Sequence, residues 1–312
     1  MQKATIVLEG GATRGIFTSG VLDYLMEQEL YVSNVIGVSA GSCNAVDYVS
    51  KQPYRTKDCM IPTDKSWEYV NGFGKFVKEK SLLNMDLIFD LFPNYLIPFD
   101  FDTFFKSEAV CEIVATNCVT GKAEYFQEKE DAERLMRICR ASSSMPLVTP
   151  IVNLDGIPYL DGGLADSIPL KHALQSGNDK VILVLTRNDD YRKKPIGKGM
   201  AELYRKAYSS YPELVRSILR RSFYYNRTMN QIEALEREGR IFVIRPQVKP
   251  VSRMERNANA LNAFYDHGYE LMGPRSETEA RALTPQQYRW LMEGLSVDQP
   301  KAHKPVGSME IV

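Results

Sequence analysis

The opening of the chain alternates a short apolar run, a glycine-rich turn and a helix, and then does so again; no other feature constrains the fold as much. Residues 5–8 read as a buried strand, residues 10–15 as a glycine-rich loop, and the next stretch as an amphipathic helix with Ile16, Val21, Leu22, Leu25 and Met26 on one side. Residues 32–36 form a second apolar strand, residues 37–41 a tight turn, and the helix that follows should end before Pro53. Parallel strands need crossover connections, usually helices that cover the sheet, so this alternation implies an α/β sheet buried on both faces.

The rest of the chain extends that plan. Residues 53–106 break the pattern with a run dense in large apolar groups, among them Trp67, Phe73, Phe76, Phe89, Phe92 and Phe105, interrupted by proline and glycine. They read as short helices and loops inserted over the sheet, either core or an acyl-chain pocket. Strands are expected at about 112–119 and 123–127, with a turn at Thr120-Gly121, and a helix at about 130–140. Residues 180–186 (KVILVLT) make the clearest central strand, with another at 241–245 and a long helix at about 212–238 between them. Helices at about 256–272 and 285–292 close the fold. The resulting division is a core over 4–175, a C-terminal α/β region over 176–295 that completes or packs on it, and a loose tail over 296–312.

Composition bounds the function. The 312 residues are 44% hydrophobic and 25% charged, and Lys+Arg balance Asp+Glu at 39 each, so no overall field recruits nucleic acid. The basic tract with Arg187, Lys193, Arg216, Arg220, Arg221 and Arg227 reads either as a solvated helix face or as an attraction for anionic headgroups. Five scattered cysteines lack the spacing of a zinc site and read as reduced thiols. No metal or cofactor is expected. The first residues are too short in apolar length for a signal segment, and no run reaches the roughly 18 apolar residues of a membrane span. The expected location is cytoplasmic, peripheral to the inner membrane face.

Three motifs carry chemistry. Gly37-Val38-Ser39-Ala40-Gly41 matches G-x-S-x-G, in which a serine stands on a sharp strand-to-helix turn with its hydroxyl presented outward, and the flanking glycines fit where a Cβ would not. Gly10-Gly11-Ala12-Thr13-Arg14-Gly15 follows the preceding strand. A dinucleotide-binding loop is its rival reading, but no Asp or Glu ends the next strand to hold a ribose, and main-chain N–H groups beside a serine nucleophile suit an oxyanion. Asp161-Gly162-Gly163 ends a strand-like segment at 157–160; alone it would be a turn. The three histidines, His172, His267 and His303, stand in two helices and the tail, away from the late loop where a hydrolase triad keeps its histidine.

Taken in this order, the G-G-x-x-R-G loop, the G-x-S-x-G elbow and the late D-G-G resemble the patatin-like phospholipases, particularly the bacterial group, over about 5–185. The resemblance implies a three-layer α/β/α fold with a mainly parallel central sheet. It implies a Ser39–Asp161 dyad without histidine, an oxyanion hole from the loop Gly10, Gly11, Ala12, Arg14 and Gly15 with Ala40, and Gly37, Gly41, Gly162 and Gly163 as motif glycines. The implied substrates are lipid acyl esters, phospholipid or lysophospholipid, met at a membrane surface. Ala12 departs from the family's usual third glycine; it keeps its N–H but disfavours a positive φ. A catalytically weak lipid-sensing or protein-binding module on the same fold is the alternative.

Overall fold

The computed structural model describes residues 1–62, 64–70 and 81–273. In chain order the elements are β1 (Gln2–Leu8), α1 (Gly15–Glu27), β2 (Val32–Val38), α2 (Ala40–Val49), α3 (Arg55–Met60) and the π-helix α4 (Leu87–Leu96). Then come α5 (Phe101–Lys106), β3 (Val110–Asn117), β4 (Ala123–Phe126), α6 (Ala132–Ser142), β5 (Val152–Leu154) and β6 (Ile157–Asp161). The chain continues through α7 (Leu170–Leu174), β7 (Val181–Val184), α8 (Lys198–Ala207), α9 (Pro212–Arg237), β8 (Phe242–Ile244) and α10 (Ala258–Glu270). Phe73, Phe76, the helix expected at 285–292 and the tail lie outside the described residues.

The strands form one sheet in the order β5-β6-β3-β2-β1-β7-β8, with β4 also paired to β3. From β3 through β8 the neighbours are parallel, and β4, β5 and β6 pair antiparallel. Alternate side chains of each strand feed two cores, as the period of two requires. Ile6 and Leu8 join a cluster with α1, α2, α6 and α10, while Val7 joins Ile36, Val38 and Leu183 in a second cluster with α7 and α9. This is the three-layer α/β/α arrangement with a mostly parallel sheet.

Helix α1 departs from the amphipathic reading. All of it except Glu27 is buried, because α10 covers the face turned from the sheet. Two glycines permit the approach: a Cβ on Gly20 would stand 2.2 Å from Tyr265 O, and one on Gly268 the same distance from Phe17 O. Inside this contact lies Asp23, 3% exposed, accepting hydrogen bonds from the Tyr265 hydroxyl at 2.8 Å and Tyr54 N–H at 2.9 Å. Burial pushes its carboxyl up to about 7, with the Tyr265 hydroxyl opposing and the charge of Asp47 adding.

The unfolded chain ionises Asp23 near 3.9, so between about pH 4 and pH 7 the folded chain holds a proton the unfolded one has released. That contribution to stability is full below pH 4 and is lost as pH rises through 7. From pH 5 to pH 8 the wild type should lose about 2 kcal/mol relative to Asp23→Asn in urea unfolding. A difference that stays constant with pH would mean Asp23 is already ionised in the fold.

Candidate active site

Strand β2 ends at Val38, opposite Val114 of β3, and the chain turns sharply at Ser39, whose φ of 56° and ψ of −126° lie in a region costing a non-glycine residue about 1–3 kcal/mol. The turn is tied on both sides. Ser39 N–H donates to Ser142 Oγ at 2.9 Å, and Ser142 Oγ donates to Val114 O at 2.6 Å, so one hydroxyl closes the gap where β2 leaves β3. The Ser39 carbonyl accepts from Ser42 Oγ at 2.6 Å and Ser42 N–H at 2.8 Å. Gly41 lets α2 start against β1, since a Cβ there would stand 2.2 Å from Leu8 O.

Asp161 arrives at the same place by register. β2 and β4 both pair with Ile113 and Val114, so they occupy opposite edges of β3. β4 and β6 both pair with Ala115 and Thr116, so they too are opposed. Hence β2 and β6 lie end to end along one edge of β3. β2 is parallel to β3 and β6 antiparallel, so their C-terminal ends converge, Val38 on Val114 and Asp161 on Ala115. Asp161 N–H donates to Ser144 O at 2.8 Å, its carbonyl accepts from Thr116 Oγ1 at 2.8 Å, and its Oδ1 accepts from Gly163 N–H at 2.8 Å. Its Oδ2 carries no hydrogen bond among the described residues. Ser39 is 7% and Asp161 5% exposed, which keeps most water from both.

The loop after β1 completes the cluster. Gly10, Gly11, Ala12 and Arg14 line one cavity with Ser39 and Asp161. The N–H groups of Gly11, Ala12 and Ala40 meet no acceptor among the described residues. Ala12 takes the φ of 51° that its methyl disfavours, at a cost of roughly 1–2 kcal/mol. Gly15 does not face the cavity: a Cβ there would stand 2.9 Å from Ala40 Cβ, so it allows α1 and α2 to approach. Gly162 likewise gives room, its Cβ position falling 2.1 Å from Val114 O. Arg14 is 4% exposed rather than solvated, and burial, then Arg187 and Arg253, lower its guanidinium to about 10.

Two cavities meet at Ala12, Ser39, Met145 and Arg253, which line both. One, of about 990 Å³ including its open mouth, is apolar and walled by Val46, Leu83, Ile88, Phe89, Phe92 and Met136. Part of the aromatic insert is thus both core and cavity wall. The other, of about 840 Å³, is polar and holds Glu9, Asp161, Lys193, Arg221 and Arg253 besides the loop. Glu9 is buried and accepts from Thr186 N–H at 2.8 Å, Thr186 Oγ1 at 3.1 Å and the Tyr225 hydroxyl at 3.1 Å. Among the described residues no histidine lines either cavity. His172 Nε2 sits 3.0 Å from Glu112 Oε1 with its ring stacked on Tyr125, and His267 Nε2 accepts from Gln247 N–H at 3.0 Å.

From the sequence Ser142 to Ser144 read as helix-cap or loop hydroxyls near the mouth of the site; Ser142 ends α6, and its bridging role was missed, as was the inward turn of Lys193 and Arg221. Glu9, the last residue before the glycines, was missed too. Among the described residues no group of three or more His, Cys, Asp or Glu could hold a metal ion, and no helix is long and apolar enough to cross a membrane.

A family model described as patatin-like phospholipase matches residues 6–174, and one described as a domain of unknown function (DUF6363) matches residues 211–283. The uncharacterized protein YjjU of Escherichia coli (strain K12) is 32% identical over 190 residues, 59% of this chain and 52% of its own. The probable lipid hydrolase 463L of Invertebrate iridescent virus 6 is 24% identical over 190 residues, 56% of this chain and 65% of its own. The matches therefore span between half and two thirds of these relatives. Among solved structures, VipD from Legionella pneumophila superposes with a TM-score of 0.45 at 14% identity, covering 93% of this chain and 66% of that one.

Ser142 supplies a prediction. Ser142→Ala leaves Ser39 N–H and Val114 O buried without partners, which should cost about 1–3 kcal/mol in urea unfolding and slow labelling of Ser39 by a fluorophosphonate. Unchanged stability and labelling would show that the elbow holds its shape without the bridge.

Proposed function

The chain belongs to the patatin-like phospholipase family, and from that premise we propose that it is a serine acyl hydrolase of lipid esters, with Ser39 as nucleophile and Asp161 as base. The single observation that carries this reading is the convergence of β2 and β6 on one edge of β3, which brings a strained serine and a buried carboxylate to one cavity. Among the described residues, N–H groups beside them that meet no acceptor and a lining without histidine support it further.

In the proposed course, Ser39 Oγ attacks the ester carbonyl while Asp161 takes its proton. The carbonyl oxygen becomes an oxyanion held by the N–H groups of Gly11, Ala12 and Ala40. Collapse breaks the carbon–oxygen bond to the alcohol, which leaves with the proton from Asp161, and the acyl group stays on Ser39. Water then attacks the acyl-serine with Asp161 again accepting the proton; the bond from the acyl carbon to Ser39 Oγ breaks as Asp161 returns that proton to Oγ, and the fatty acid departs. The apolar cavity receives the acyl chain. Because an oxyanion donor is worth about 3 kcal/mol of barrier, the strain at Ala12 is small beside what its N–H contributes.

Asp161→Asn and Ser39→Ala should each lower hydrolysis of a short-chain ester by roughly 10³-fold or more with folding retained, while His172→Ala and His267→Ala keep most of the rate. Loss of turnover in a folded histidine variant, with Asp161→Asn still active, would replace the dyad by a histidine-based triad. A second test concerns the oxyanion loop. Ala12→Gly should keep activity and raise stability by up to about 1 kcal/mol, by releasing the positive φ. Reduced stability in that variant would mean the methyl packs more favourably than the backbone is strained.

A further inference from the structure

The polar cavity holds four cationic side chains, Arg14, Lys193, Arg221 and Arg253, against two carboxylates, Glu9 and Asp161. Among the described residues none of the four forms an ion pair. Lys193 Nζ instead lies over the Tyr225 ring, 3.0 Å from its centroid, and Arg221 Nε donates to Ser167 Oγ at 3.3 Å. Arg14 is buried with its Nε unpartnered. Arg221 reaches the reacting groups, since a Cβ built on Gly163 would stand 2.9 Å from Arg221 Nη2 and 3.0 Å from Asp161 Oδ1. Arg253 stands on the exposed loop whose carbonyl accepts from Thr13 N–H at 3.4 Å.

Gathering like charges in a partly dry pocket is costly unless something offsets them. Burial and then Arg221 push the Lys193 ammonium well below its ordinary value, and burial lowers Arg221 although Asp161 opposes it. The charge of Glu9 favours the ionised forms of Arg14, Lys193 and Arg221, and that of Asp161 favours Arg221, but two carboxylates stand against four cations and neither forms an ion pair with one among the described residues. The missing counter-charge is an anion from outside the chain. Lys193, Arg221 and Arg253 lie outside the residues 6–174 that match the patatin-like model, with Arg221 and Arg253 inside the second match over 211–283, whereas Arg14 belongs to the shared loop.

An ester at Ser39 has two sides. If the acyl side fills the apolar cavity, the alcohol side enters the cationic one. We infer that Lys193, Arg221 and Arg253, backed by Arg14, form a phosphate subsite that holds a phosphate borne by the alcohol part of the ester. The alcohol-side assignment rests on the acyl-hydrolase reading; the anion site itself does not.

The experiment has two arms. In the first, the full chain is assayed on a 1-acylglycerol 3-phosphate and on the neutral 1-acylglycerol of the same chain length. The phosphate ester should have the higher kcat/KM, and the ratio should fall at least about tenfold in Lys193→Met and in Arg253→Gln, but not in Lys206→Ala on the exposed side of α8. In the second, glycerol 3-phosphate and inorganic phosphate are titrated calorimetrically into Ser39→Ala. Glycerol 3-phosphate should bind more tightly than inorganic phosphate, and at least about tenfold more weakly when Lys193→Met or Arg253→Gln is added. Equal turnover of both esters in the wild type, or binding indifferent to both substitutions, overturns the subsite and leaves the hydrolase standing. Tighter binding of inorganic phosphate assigns the site to the free ion and overturns the alcohol-side role. Absence of all ester turnover, with glycerol 3-phosphate still bound through Lys193 and Arg253, sinks the hydrolase reading and retains the anion site.

Discussion

The structure depends on one edge of β3 being shared by two strands. A strand edge offers a fixed row of N–H and C=O groups, and here β2 uses the first part of it and β6 the second. Where they meet, the ladder is interrupted, and unpaired main-chain groups at the break would be costly. The Ser142 hydroxyl fills that break by accepting from Ser39 N–H just past β2 and donating to Val114 O of β3. The interruption is what allows Ser39 to leave the sheet and Asp161 to enter beside it.

Around that break, solvent is divided unevenly. On one side the aromatic insert and the outer faces of α2 and α6 make an apolar wall; on the other α9 and the loop before α8 bring positive charge. Fixed N–H dipoles in a dry site hold a developing negative charge better than solvent does. Lys193, Arg221 and Arg253 set the local field from outside the residues that match the patatin-like model, so the motif and most of this charge come from different parts of the chain.

Much of this plan was legible in the sequence. Strands buried on both faces announce themselves as unbroken apolar runs, as β7 does, and α9 begins at Pro212 and stops just before Gly239, as its flanking residues indicate. The motif residues were legible because a serine elbow demands glycines that little else explains. What stayed hidden depends on partners distant in sequence. β5 has three residues, too few to show a period, and α8 was not anticipated. That α1 would be buried all round required knowing where α10 lands. Which members of a basic tract turn inward depends on the rotation of α9 against the sheet, and composition is blind to it. The sharing of one edge by β2 and β6 follows only from pairing registers.

The elbow and its carboxylate also differ in when they can exist. Ser142 lies 103 residues beyond Ser39 and Asp161 follows later still, whereas β1, α1, β2 and α2 are contiguous near the amino terminus. Domains emerge from the ribosome amino end first, and distant contacts are the slow ones to form. A nascent chain can therefore hold Ser39 for many residues of synthesis without Asp161 near it, and α10 must arrive before α1 is covered. A half-made chain thus holds the elbow before β6 has brought Asp161 to it, and β7 and β8 are added to the sheet later still.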